Sequence, residues 1–167
     1  AIKLLQAERL VLNYMQRLSG VATKTAFYAQ LVAGTKCTIL DTRKTTPGLR
    51  VLEKWAVALG GGGNHRMGLY DMVMLKDNHI DFVGGIVPAV ERVRHYLADK
   101  GKNLKIEVET RNLEEVTQAL EMKVDRIMLD NFTPEQTLEA VVLIAGKAEV
   151  ESSGGITEKT LLSYAQC

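Results

Sequence analysis

The sequence predicts an α/β fold in which parallel strands form an open or incomplete (β/α) barrel, preceded by a helical segment. Three observations carry this expectation. Strand-like and helix-like runs alternate five times beyond residue 35. Their spacing of roughly 20–30 residues is that of βα units, which build parallel sheets with helices packed outside them. Each strand-like run also ends on polar or charged groups, in order Arg43/Lys44, Lys76, Glu109, Asp130 and Ser152-Ser153-Gly154-Gly155. A barrel gathers successive strand ends at one mouth, which favours it over a doubly wound sheet.

Residues 4–33 carry Leu4, Leu5, Leu10, Val11, Tyr14, Met15 and Leu18 at three-four spacing, so 1–35 is read as a helical segment with Ser19-Gly20 as a candidate break. The partial barrel then occupies 36–167. Its strand-like runs are 36–42, 71–76, 104–109, 125–130 and 148–152, and its helix-like runs are 48–59, 87–99, 113–122, 134–145 and 157–166. Several helix starts are marked. Thr46 is the expected N-cap of the first, with Pro47 at its first position. Asn112 stands three residues before Glu115, and Thr133-Pro134-Glu135-Gln136 reads as a capping box.

Composition narrows the function classes. The chain has 167 residues, 46% hydrophobic and 25% charged, with a formal net charge of +1. There is no global basic field for nucleic acid, no apolar run near the ~18 residues of a membrane span, and no secretory signal at the start. Cys37 and Cys167 make neither a disulfide framework nor a zinc site. The expectation is a cytoplasmic domain that binds neither nucleic acid nor membrane.

Two stretches are dense in chemistry. In 40–50, adjacent cations Arg43 and Lys44 follow the first strand-like run; alone, such a pair is an ordinary solvated loop. In 60–71, four glycines precede Asn64, His65 and Arg66. They suggest either a phosphate cradle or a helix end with a flexible turn, and neither dinucleotide nor P-loop spacing is present. Arg9, Arg43, Lys44, His65, Arg66 and Lys76 together would make a cationic mouth suited to carboxylates or phosphates. Glu109 and Asp130 on neighbouring strand ends suit sugar hydroxyls or a magnesium ion travelling with a diphosphate. Glu107 shares a strand face with Glu109, which lies nearer the carboxyl end. Ser153-Gly154-Gly155 offers backbone N–H groups at the start of the last helix as a phosphate seat.

Thr42-Arg43-Lys44-Thr45-Thr46-Pro47-Gly48-Leu49-Arg50, Gly61-Gly62-Gly63-Asn64-His65-Arg66 with Gly68-Leu69, Lys76-Asp77-Asn78-His79, Leu129-Asp130-Asn131 and Glu151-Ser152-Ser153-Gly154-Gly155 resemble the quinolinate phosphoribosyltransferase family in its own order. Ala7-Glu8-Arg9 with Leu12-Asn13 resembles the helix before that family's barrel. The resemblance implies a type II phosphoribosyltransferase that joins quinolinate to phosphoribosyl pyrophosphate with Mg2+, releasing pyrophosphate and CO2 and giving nicotinate mononucleotide for NAD biosynthesis. It implies that Arg9, Arg43, His65, Arg66 and Lys76 bind quinolinate. It places Lys44, Glu109, Asp130, Ser153, Gly154 and Gly155 around the phosphoribosyl group, with Thr42 among the binding residues. Lys44, Lys76, Glu109 and Asp130 are the expected catalytic set, and Glu109 and Asp130 the expected metal contacts, direct or through the diphosphate. An oxocarbenium-like ribosyl centre attacked by the pyridine nitrogen would rely on orientation and electrostatics.

The resemblance further implies a homodimer in which Arg9 acts on the partner's site. The family also has a sandwich domain before the opening helix and a further strand after the last helix, so this chain corresponds to its middle. The alternatives are a related type II enzyme, either a nicotinate phosphoribosyltransferase or the molybdenum-locus homologue, and a non-catalytic anion-binding fragment.

Overall fold

The computed structural model describes residues 2–167. The chain divides into two compact units, Ala1–Met67 and Gly68–Cys167, and the expected alternation of strands with helices is found in the second.

The first unit is built on two helices, α1 (Ile2–Leu31) and α2 (Arg50–Leu59). The expected break at Ser19-Gly20 does not occur. A single glycine costs about 1 kcal/mol in a helix, too little to end one that continues for many turns. Leu4, Leu5, Leu10, Val11 and Met15 on α1 are exposed. The glycine run after α2 is a packing device. A Cβ on Gly60 would lie 2.4 Å from the Ala22 carbonyl oxygen, and one on Gly62 would lie 2.7 Å from Thr25 Cγ2, so only glycine lets this turn approach α1 so closely.

Two expectations fail here, each for a local reason. The 36–42 run is not a strand. Its pairing is one parallel bridge, Leu40 to Gly63, with Gly63 N–H donating to Ile39 O (2.8 Å) and Asp41 N–H to Gly63 O (3.2 Å). Beyond Asp41 the backbone donors turn inward, Lys44 N–H to Thr42 Oγ1 (2.9 Å) and Thr45 N–H to Arg43 O (3.0 Å), so no ladder can extend. The helix over 48–59 begins at Arg50, with Leu49 rather than Thr46 at its N-cap. Thr46 is engaged elsewhere: its N–H and Oγ1 both donate to the Glu53 carboxylate, at 3.1 and 2.8 Å. Gly48, at φ +79°, separates it from the helix.

The second unit is a four-stranded parallel sheet in chain order, β1 (Val73–Leu75), β2 (Ile106–Thr110), β3 (Arg126–Asp130) and β4 (Glu149–Ser153). It is an open sheet of α/β connectivity. α3 (Asp77–Val83) and α4 (Ile86–Asp99) join β1 to β2; α5 (Leu113–Glu121), α6 (Pro134–Ile144) and α7 (Leu161–Ala165) follow the other strands. α3 had no sequence expectation, because the pattern there is too short to register a period. Its start is capped by His79, whose Nδ1 accepts the Lys76 N–H at 3.1 Å. The expected caps of α5 and α6 are present. Asn112 Oδ1 accepts the Glu115 N–H (2.9 Å), and Thr133 and Gln136 exchange both bonds of a capping box (2.9 and 3.3 Å). The last helix is shorter than the expected 157–166.

One sheet face and the helices share an apolar core in which Val108, Ile127, Leu129, Val116, Ala119, Ala140 and Ile144 are fully buried. Residues alternate along a strand, so the other face carries Met74, Glu107, Glu109, Arg126, Met128, Asp130, Glu149, Glu151 and Ser153.

Candidate functional site

Within Ala1–Met67 the expected site residues sit on two loops. Thr42, Arg43 and Lys44 lie on the first and His65 and Arg66 on the second, and α2 holds both. The α2 face that turns inward carries Arg50, Glu53 and Lys54 beside the buried Ala56, with Lys54 only 1% exposed. Its outward face carries Val51, Trp55 and Leu59. Lys54 Nζ pairs with the Asp41 carboxylate and donates to the His65 carbonyl at 2.8 Å. Asp41 also accepts the His65 N–H (2.9 Å) and the Asn64 Nδ2 (2.6 Å), while Asn64 Nδ2 reaches the Lys54 carbonyl at 2.8 Å. One turn earlier, Arg50 donates to Thr45 Oγ1, to the Met67 carbonyl and to the Arg43 carbonyl, each at 3.2 Å.

The side chains this frame presents differ in exposure. Lys44 is exposed, Arg43 and Arg66 are half-buried, and His65 is buried. The Arg43 Nε is shut off from solvent without a hydrogen-bond acceptor in the structure. His65 Nδ1 accepts the Arg66 N–H at 2.8 Å, which assigns the ring proton of a neutral imidazole to Nε2. Arg9 stands apart, exposed on α1. The α1 arginine that joins the network is Arg17, which donates to Glu53 (2.8 Å) and Thr46 Oγ1 (3.0 Å). Burial pushes the Glu53 carboxyl up most strongly, but the bonds from Arg17 and Thr46 outweigh it and hold the group below the ordinary carboxylate value.

Within Gly68–Cys167 the expected residues stand at the carboxyl ends of the strands, on the polar face. Lys76 follows β1 and pairs with Glu109 near the end of β2 at 3.2 Å. Lys76 is half-exposed, so this contact contributes under ~1 kcal/mol. Asp130 ends β3 and is in register with Ser153 at the end of β4. Asn131 joins the two ends: its N–H donates to Ser153 O (2.8 Å) and its Nδ2 to Asp130 Oδ2 (2.7 Å). A Cβ on Gly154, where φ is +87°, would meet Asn131 Oδ1 at 2.2 Å, so this turn requires glycine. The expectation that Ser153-Gly154-Gly155 opens the last helix is corrected. α7 starts at Leu161, and the turn offers its own backbone rather than a helix N-terminus.

Nearer the amino ends of the strands the same face is an ion network. Arg126 bridges Glu149 (2.6 Å) and Glu151 (3.2 Å), and Lys105 reaches Glu149 at 2.6 Å. Glu149 is held below its ordinary value, first by the Lys105 hydrogen bond and then by Arg126.

In the first unit Asp41, Arg50, Lys54 and Asn64 hold the two loops, and in the second Asn131 joins two strand ends; Arg50, Asn64 and Asn131 stood in the quoted motifs without a role, and Lys54 was not singled out. A lysine on an amphipathic helix reads as solvated surface; the apolar 51/55/59 stripe opposite Lys54 is compatible with either face being buried.

Residues 21–167 match the family model described as quinolinate phosphoribosyl transferase, C-terminal domain. A chloroplastic nicotinate-nucleotide pyrophosphorylase (carboxylating) of Arabidopsis thaliana is 49% identical, over 99% of this chain and 51% of its own length. A probable nicotinate-nucleotide pyrophosphorylase of Synechocystis is 48% identical, over 97% of this chain and 55% of its own. The crystal structure of NadC from Streptococcus pyogenes superposes with a TM-score of 0.91 at 43% identity, covering 98% of this chain and 56% of that one. The chain thus spans about half the length of the curated relatives it matches. No helix among the described residues is long and apolar enough to cross a membrane. With the family model covering most of its length, the chain belongs to the quinolinate phosphoribosyl transferase family.

Proposed function

We propose that this chain carries phosphoribosyl transfer from phosphoribosyl pyrophosphate to quinolinate, with decarboxylation to nicotinate mononucleotide. The observation that supports it best is the row of Lys76, Glu109, Asp130 and Ser153 at the carboxyl ends of four successive parallel strands, on one face. That edge is where α/β sheets of this connectivity bind ligands.

In this reading Arg43, His65 and Arg66, with Thr42, Lys76 and Arg9, bind the dicarboxylate. The Arg43 Nε, desolvated and without an acceptor, is suited to a carboxylate oxygen. Lys44 and the Ser153-Gly154-Gly155 backbone take phosphate oxygens, and Glu109 and Asp130 take the ribose hydroxyls. Two carboxylates on adjacent strands also suit Mg2+ that arrives on the diphosphate. They belong to no three-ligand cluster among the described residues, and magnesium is commonly held by one or two carboxylates plus substrate phosphates. Bound there, the ion would neutralise charge on the leaving pyrophosphate. The chain's own part is to orient the pyridine nitrogen toward the anomeric carbon and to surround the developing ribosyl cation with carboxylates.

Titration of the chain with quinolinate and nicotinate, each with and without magnesium phosphoribosyl pyrophosphate, tests the reading. Quinolinate should bind at least about tenfold more tightly, since nicotinate lacks one carboxylate. A preference for nicotinate assigns the chain to a related type II activity, and binding without turnover assigns it to anion capture. Failure to bind either compound sinks the reading.

A homodimer with Arg9 acting in trans belongs to the same proposal. The exposed apolar residues around Arg9 on α1 support it. Mixing inactive Arg9→Ala and Lys76→Ala chains should restore about a quarter of wild-type activity if the sites are shared, and none if each site is built from one chain. A cytoplasmic location completes the proposal, and cell fractionation checks it.

A further inference from the structure

The α2 helix buries the charged Glu53 and Lys54 while Val51, Trp55 and Leu59 stand exposed, and this inversion needs a cause. Lys54 is 1% exposed, and its partner Asp41 is nearly as enclosed. Burying two charges is costly, and an apolar pair of similar volume is often neutral or better for stability. Stability alone therefore gives no reason for an ion pair at this position. Its geometry does. Lys54 holds the Asp41 side chain and the His65 carbonyl, and Asp41 in turn holds the His65 N–H and Asn64. Three side chains, those of Lys54, Asp41 and Asn64, thus tie the residue two before Arg43 to the backbone of the residue before Arg66. Arg50, on the same face of α2, fixes the carbonyls of Arg43 and Met67 on either side.

We propose that Lys54 is a positioning residue for the dicarboxylate site: through Asp41 it sets the spacing between the loop that carries Arg43 and Lys44 and the loop that carries His65 and Arg66. The inference rests on the reading of Arg43, His65 and Arg66 as dicarboxylate ligands. A planar dicarboxylate gripped by guanidinium forks tolerates little displacement, so the loop backbones need a rigid tie that a solvated lysine could not supply. The tie is made by Lys54, Asp41 and Asn64, none of which is among the residues read as dicarboxylate ligands.

The test separates positioning from stability. Lys54→Met leaves the Asp41 carboxylate enclosed without its counter-ion and should lower the thermal midpoint. Adding Asp41→Asn removes the stranded charge, and the double variant should return to within about 2 °C of wild type. Positioning requires that this stable double variant still bind quinolinate about tenfold more weakly, with amide hydrogen exchange at His65 and Arg66 about tenfold faster. Wild-type affinity and wild-type exchange in the double variant would overturn the proposal.

If the double variant does not fold, Asn64→Ala decides, because Asn64 is exposed and its loss leaves the ion pair in place. About threefold weaker quinolinate binding with faster His65 exchange supports the tie, and no change in either removes it. A wild-type chain that binds no quinolinate fells the functional reading instead; His65 exchange in the variants then decides the tie on its own.

Discussion

In Gly68–Cys167 the residues offered for chemistry stand at strand ends, while in Ala1–Met67 they stand on loops whose backbone is tied down by buried charges. The interiors differ in the same way. Among its described residues the first unit buries Thr25, Glu53, Lys54 and His65 but only Val32 and Ala56 among apolar ones. The second buries aliphatic side chains from every strand of its sheet except β4. Register is a collective property: moving Asp130 away from Ser153 would mean shifting a whole strand. The loop frame depends on a few individual hydrogen bonds, so single substitutions can disturb it without unfolding the chain.

The largest expected effect lies in the apolar core. Ile127→Ala, at a fully buried position between sheet and helices, should destabilise the chain by about 2–5 kcal/mol in denaturant unfolding. A loss under ~1 kcal/mol would mean that the core does not hold the second unit as described. Next is the close turn of the first unit. Gly62→Ala places a Cβ against Thr25 and Val57 and should cost about 1–3 kcal/mol, measured the same way; a neutral result would show that α1 moves aside freely. Thr133→Ala removes the α6 cap and should cost about 1 kcal/mol, with Thr133→Ser restoring most of it.

The smallest effect is a slope, and it sharpens the contrast. Glu53 and Glu149 both titrate below the ordinary carboxylate value in the folded chain. Each contribution is therefore present above about pH 4.3 and is lost as the pH falls through the lowered folded value. Glu53→Gln and Glu149→Gln should each flatten the acid side of a melting-temperature profile. Salt near 1 M should screen the exposed Glu149 contribution and leave that of the enclosed Glu53 largely intact. Equal salt sensitivity would show that the two units do not differ in the way their charges are held.

These contrasts explain what could be read in advance. Strand and helix periods, the Asn112 and Thr133 caps and the polar strand ends are local patterns, and the second unit follows them closely. The first unit follows tertiary bonds. Thr46 and Pro47 form a good helix start, yet Thr46 is taken by Glu53 and the helix waits until Arg50. The 36–42 run has strand composition but finds only a glycine turn to pair with. Asp41 and Lys54 are thirteen residues apart and carry no periodic signal, so nothing short of the fold joins them. The glycines were open to a ligand-cradle reading because close packing and phosphate approach both require a missing Cβ.

The sheet order β1-β2-β3-β4 has a kinetic consequence. Every strand after β1 pairs with the one immediately before it, so no later segment is needed to complete an earlier pair. Loop closures stay short, and each new hairpin-free unit can dock on a surface already formed. During synthesis the second unit can therefore assemble in the order in which its strands emerge, with the growing edge exposed only until the next strand arrives.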